Sequence, residues 1–226
     1  MSTKKKRVGK LTNPVSEVVR IDAPNFKETS FKIRGTTPYV QHKFSAKAIK
    51  EMIYEQEKGS TGKKGKKRKP KDFDANYRDA THGTGKKGEF GIPAAAFRNA
   101  MISACKIVGF HMTKGKLAVF VKPDLIDDEE TQLVQITKGK PKRFDLHVRN
   151  KTGVIDIRAR PKWKAGWEAT VRVWFDADVF TLTDITNLLM RVGMQVGIGE
   201  GRPDSKDSCG MGWGLFELVL DKRSSR

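Results

Sequence analysis

Acidic side chains are scarce in this chain, cysteine is nearly absent, and no apolar run is long. Across 226 residues, 26 Asp and Glu stand against 45 Lys and Arg, a formal net charge of +19. Such an excess speaks about partners rather than fold, and a polyanion is the natural one, nucleic acid ahead of an acidic membrane. The two cysteines, Cys105 and Cys209, lie far apart with no C-x-x-C pair. That excludes a disulfide framework or a zinc ribbon and suits a reducing, cytoplasmic setting. No apolar stretch approaches the roughly 20 residues of a membrane-spanning helix. The basic start MSTKKKR leads into no apolar segment of a secretory signal.

Catalytic spacings are missing as well. The histidines are His42, His82, His111 and His147, with no H-x-H, no H-E-x-x-H and no Cys/His cluster. No G-x-S-x-G is present. The acidic run Asp127, Asp128, Glu129, Glu130 reads as a solvated turn. No metal and no cofactor are expected, and binding outranks catalysis.

What the chain does have is glycine in one place and lysine in several. Gly197 to Phe216 reads GIGEGRPDSKDSCGMGWGLF and holds six glycines, at 197, 199, 201, 210, 212 and 214. The spacing is neither a mononucleotide P-loop nor a dinucleotide fingerprint. Two readings remain: a tight connector, or a backbone surface on which a phosphate chain lies. Residues 1–13 form a basic flexible tail with Lys4, Lys5, Lys6, Arg7 and Lys10, and 221–226 form a second tail. Lys58 to Lys71 carries eight basic residues in fourteen, with no acid and no large apolar side chain. It cannot bury anything, so 58–88 reads as a basic loop inserted into a single domain spanning 14–220.

Periodicity supplies the elements. SFKIRGTTPY at 30–39 alternates as a half-buried strand, and Ala48, Ile49, Met52 and Ile53 mark a helix over 45–57. The clearest helix is 90–109, opened by Pro93 and closed by Gly109. Phe97, Ala100, Met101, Ala104, Cys105 and Val108 form its apolar face. Strands follow at 117–121, 133–136, 154–160 (ending at Pro161) and 167–176, with a basic loop at 137–143. In the last of these strands Ala169, Val171, Val173 and Phe175 share one face. Thr183 or Asp184 caps a second helix with Ile185, Leu188, Leu189 and Val192 inward and Gly193 at its end; a strand over 214–220 completes the chain. This order suits an α+β, ferredoxin-like (RRM-like) β-α-β-β-α-β plan with an antiparallel sheet and helices on one face.

Three stretches resemble a known family. GIPAAAFRNAMISA at 91–104 is similar to the IPGSSLKGALR run that opens the first helix of the repeat-associated mysterious protein (RAMP) superfamily. GIGEGRPDSKDSCGMGWGLFEL is similar to that family's carboxy-terminal Gly-rich loop, and the 58–88 insertion sits where its members carry part of a thumb. The pattern covers roughly residues 30–220 and is most like the repeating backbone subunit of CRISPR effector complexes, including bacteriophage-borne relatives. The resemblance implies a ferredoxin-like palm and copies assembled head to tail, as a filament, along a single strand. It places Arg98 against the nucleic-acid backbone and Gly199, Gly201, Arg202 and Gly212 in the loop that meets it. Members that cut target RNA place an Asp after the first strand. TTPYVQHKF at 36–44 has none, so the resemblance implies a non-catalytic subunit.

The expected carriers of single-stranded RNA, or of single-stranded DNA, are the cations and stacking rings. In and near the insertion they are Lys63, Lys64, Lys66, Lys67, Arg68, Lys69, Phe73, Tyr77, Arg78, Lys86 and Lys87. Elsewhere they are Lys43, Arg98, Asn99, Lys140, Lys142, Arg143, Arg158, Arg160 and Lys162, with Gly199, Gly201, Arg202 and Gly212. Trp163, inside RPKWK, reads either as a stacking ring or as a core residue. Partners are then the strand, further copies of the chain and other effector subunits. Two alternatives remain: a metal-independent endoribonuclease with His42 as general base, and a phage single-strand DNA-binding or structural assembly protein.

Overall fold

Strict alternation in the stretch EATVRVWFD builds the centre of the molecule: its odd-numbered residues point inward and every second neighbour points out. The computed structural model describes residues 22–43, 53–54, 71–86, 88–149, 153, 155–205 and 210–219. The strands are β1 (Phe26–Gly35), β2 (Tyr39–Val40), β3 (Gly91–Pro93), β4 (Val119–Lys122), β5 (Leu125–Ile126), β6 (Gln132–Lys138), β7 (Lys142–Arg149), β8 (Ile155–Trp163), β9 (Glu168–Asp176) and β10 (Phe216–Leu218). The helices are α1 (Phe73–Asp79), α2 (Ala94–Ile107), α3 (Met112–Ala118) and α4 (Leu182–Arg191), the last running into a π-helical turn, Val192–Val196. The tails 1–13 and 221–226, Lys63, Lys64, Lys66, Lys67, Arg68, Lys69, Lys87 and Cys209 lie outside the described residues. So does the 45–57 helix, except for Ile53 and Tyr54, which are helical.

The described residues form an α+β structure with two antiparallel sheets. The larger runs β10-β1-β9-β6-β3, with β4 also on β9 and β5 on β6. β1 and β9 pair along their whole length, from Phe26↔Asp176 to Arg34↔Glu168. Their inner face, with Ile33, Ala169, Val171, Val173 and Phe175, packs on Phe97, Met101, Ala104 and Cys105 of α2 and on Ile185, Leu188 and Leu189 of α4. Full burial of the Val, Ile, Leu, Phe and Met side chains among them stabilises by about 1.5–3 kcal/mol each. α4 starts at a capping box: Thr181 accepts from the Asp184 N–H and Asp184 accepts from the Thr181 N–H. The N-cap is therefore Thr181, two residues before the earliest position expected, because only that hydroxyl reaches back to the third helical N–H.

Other boundaries also moved. The apolar run expected as a strand from Leu117 begins as helix α3, and Leu117 is 72% exposed. Gly115 has to sit against Cys105 Sγ, where a Cβ would come within 3.1 Å, and the helical turn provides that approach. The strand starts only at Val119, where the chain meets β9. Val108 falls just past the last turn of α2 and is exposed. The basic loop expected over 137–143 gives way at Lys142 to strand β7, which pairs with β8 over its full length. β8 runs through Pro161 rather than ending there. The Pro161 carbonyl accepts from Gln41 N–H at 3.1 Å, so its missing N–H faces the β2 side and β7 loses no ladder bond.

Candidate nucleic-acid interface

The second sheet, β2-β8-β7, carries five of the eleven described cations expected to meet a strand: Lys142, Arg143, Arg158, Arg160 and Lys162. Alternation along β8 places Arg158, Arg160 and Lys162 on one face, about 6.8 Å apart in sequence steps of two. Phe144 of β7 stands opposite Arg160, and Lys142 opposite Lys162. The Lys162 Nζ lies 4.0 Å from the Phe144 ring centre and 4.3 Å from that of Trp213. The two rings meet edge to face at 5.7 Å. Trp213 comes from the Gly-rich loop, so this cation joins the small sheet to that loop. Arg160 does the same: its Nε donates to Glu200 Oε2 at 2.7 Å.

α1 lies mainly against β8 and reaches β7 through Arg143. Arg143 donates to Asp74 and Asp145, at 2.8 and 2.9 Å, and lies 5.3 Å from the Phe73 ring. Arg143 and Phe73 thus serve each other, holding α1 against the strand. Asp72 caps this helix by accepting from Asp74 and Ala75 N–H, and the Tyr77 hydroxyl donates to the Pro141 carbonyl at 3.3 Å. Burial raises the Tyr77 phenol above its ordinary value. Lys140 and Lys142 are exposed.

Three adjoining cavities connect these parts. The outer one, about 570 Å³, is lined by Lys43, Arg78 and Lys86 beside Asp79, Glu89, Asp128 and Glu129. The middle one, about 430 Å³, shares Lys43 and adds His42, Lys71, Arg158 and Arg160. The inner one, about 360 Å³, shares His42 and is closed by His82, Pro93, Gly201 and Arg202. The described end of the basic insertion, the start of α2 and the Gly-rich loop therefore line cavities that share walls at Lys43 and His42, together called the groove below. The chain matches no protein-family model and no curated protein.

Its floor is an acid–base knot. Asp127 is buried, accepts from Glu129 and Thr131 N–H at 3.0 and 2.9 Å, and is 3.3 Å from Lys43 Nζ and 3.1 Å from His82 Nδ1. The acidic run read as a solvated turn is thus anchored by one interior carboxylate. Burial alone would raise that carboxyl, but His82, the two N–H groups and Lys43 outweigh it and hold it at about 2. Burial pulls the His82 imidazole below its ordinary value, against the bond to Asp127. A neutral His82 beside a carboxylate carries its hydrogen on Nδ1. A second carboxyl, Glu168, is held at about 2 by Lys138 first and then Lys32, with Arg34 adding to them and burial opposing. Both folded values lie below the ordinary 3.8 and 4.5. Their contribution to stability is therefore complete above about pH 5 and lost as pH falls toward about 2. Thermal melts across that range are expected to show the midpoint dropping with acid, and Glu168→Gln to flatten part of the drop.

Two expected carriers do other work. Arg98 does not face the groove: its guanidinium donates to the Val119 and Lys116 carbonyls and stacks 4.5 Å from the Phe120 ring. The carbonyls at the end of α3 are the negative pole of that helix and hold the cation there. Trp163 is fully buried, 5.4 Å from Tyr39 and 5.9 Å from Phe90, so it is core rather than a stacking surface. Asn99 is exposed on α2. In the Gly-rich loop, a Cβ on Gly199 would meet Val40 O at 2.4 Å, and one on Gly201 would meet the Trp213 ring at 2.7 Å. Both pack the loop onto its surroundings. Arg202 donates to the Gly199 carbonyl at 3.2 Å and lines the inner cavity, and Gly212 has open space around it.

Sequence reasoning passed over Phe144, Trp213, Glu200 and the Asp127–His82 pair. The alternation of RARPKW was visible, but its partner strand and the loop residue above it are set by pairing across the fold.

Proposed function

We propose that the protein is a non-catalytic, single-stranded nucleic-acid-binding protein, RNA before DNA, that assembles head to tail along the strand in the manner of a RAMP-type backbone subunit. The observation that carries this reading is the groove: three cavities in a row, joined through Lys43 and His42, that run from the basic insertion to the Gly-rich loop. Cations along it neutralise phosphates and fix register without reading sequence. The strand order β10-β1-β9-β4, antiparallel throughout, with α2 between β1 and β4 and α4 between β9 and β10, supports a ferredoxin-like palm. A second reading, the metal-independent endoribonuclease, is favoured by one observation. His42 and His82 line the same cavity, and Asp127 orients the latter.

The test is binding of a fluorescent single-stranded RNA in EDTA, across a salt series, with the strand recovered afterwards. Log K is expected to fall against log salt by about 0.7 for each phosphate neutralised, with the RNA intact. A flat salt dependence or a preference for duplex defeats the reading. A 2′,3′-cyclic phosphate end that disappears in His42→Ala moves it to the nuclease.

A further inference from the structure

We infer that the Glu200 carboxylate holds the place of a phosphodiester on Arg160, and that a bound strand displaces it. This rests on the nucleic-acid reading above. Arg160 is 7% exposed, and Glu200 occupies its Nε. The pair stands where the middle and inner cavities meet: Arg160 lines the first, Glu200 the second, and His42 both. Among the described residues Glu200 is the only carboxylate lining the inner cavity. A strand threading from one cavity to the next brings a phosphate beside that carboxylate, and like charges there repel.

The exchange is chemically even. A guanidinium takes phosphate as readily as carboxylate, with two parallel donors. A largely buried ion pair offsets its own desolvation and little more, so a better anion can replace one member. The backbone need not move. Glu200 N–H is fixed to the Val40 carbonyl at 2.9 Å, between glycines in the left-handed region at φ +80° and +76°. Only the side chain has to swing outward. Closed, the pair divides the groove; open, it gives the strand a buried anchor.

The experiment compares the full chain with Glu200→Gln, binding a short fluorescent oligouridylate, with Glu217→Gln as a control. Glu217 lies on β10 opposite Arg34, outside the groove, and its substitution changes net charge equally. Glutamine still accepts from Arg160, so the fold is kept, and thermal melting checks this. Glu200→Gln is expected to bind about tenfold tighter than wild type, Glu217→Gln within about twofold, and the gain to vanish when Arg160→Met is added. Equal effects of the two glutamines, weaker binding by Glu200→Gln, or a gain that survives Arg160→Met overturns the inference and leaves wild-type binding standing. Absence of binding by both wild type and Glu200→Gln overturns the inference and the nucleic-acid reading together.

Discussion

Replacing Arg158 and Lys162 together by alanine is expected to lower affinity for a single strand by about tenfold to a hundredfold. The same change should reduce the salt slope by about 1.4, two contacts at about 0.7 each. The two side chains flank Arg160 on the same face of β8: Arg158 lines the middle cavity, and Lys162 sits at the Phe144 and Trp213 rings beside the Gly-rich loop. Neither is buried, so removing them leaves no stranded charge in the interior, as removing Arg160 alone would beside Glu200. Arg158 lies 3.6 Å from Asp156, an ion pair of the partly exposed kind that contributes little to stability. Lys162 gives up its two ring contacts, worth about 0.5–1 kcal/mol each at such sites, so the variant remains folded. Arg143→Ala is the matched control. That guanidinium points to the α1 side and is held by Asp74 and Asp145, so its loss should barely change binding. If Arg143→Ala carries the loss and the double variant binds like wild type, the strand runs past Arg143 and not over the face of β8 that holds Arg158 and Lys162.

Gly214→Ala is expected to destabilise the fold by about 3 kcal/mol or more, a size reached only through a few mechanisms, backbone strain among them. An added Cβ would stand 1.8 Å from the Ile198 carbonyl oxygen, at φ +72°. The clash is with backbone on a segment that cannot drift. Ile198 N–H donates to the Gly214 carbonyl at 3.1 Å, and Gly214 N–H to Pro38 at 2.7 Å. Gly212→Ala is the comparison: φ is +70°, but nothing lies within 4 Å. It should lose only the left-handed penalty of about 1–2 kcal/mol. Equilibrium unfolding in urea separates the two, and equal losses would mean that the loop yields freely and does not brace β2 against the groove.

Much of the larger sheet and its helices was legible in the chain. The inward faces of β9, α2 and α4 follow from periods of 2 and 3.6, because burial of apolar side chains rewards only those spacings. Ala169, Val171, Val173, Phe175, Phe97, Met101, Ile185 and Leu188 all lie where that rule puts them. Boundaries were less legible. Pro161 sits inside β8 because its missing N–H faces the β2 side and leaves the β7 ladder intact, and α3 takes the first half of an apolar run because Gly115 must reach Cys105. Both depend on neighbours outside the element itself, Gln41 in one case and Cys105 in the other.

The site divides in the same way. The surplus of lysine and arginine, the alternating Arg158, Arg160 and Lys162, and the crowding of glycines after residue 197 are properties of the sequence alone. They make an anionic partner the natural inference, since charge and period survive any arrangement of the loops. Which side chain faces the groove was decided only by tertiary structure. Arg98 is drawn to the carbonyl end of α3, Trp163 into the core, Arg143 to α1, and Arg160 to a carboxylate forty residues away. A side chain's charge is carried by its residue, whereas the partner that neutralises it is selected by the few ångströms of space that folding leaves around it.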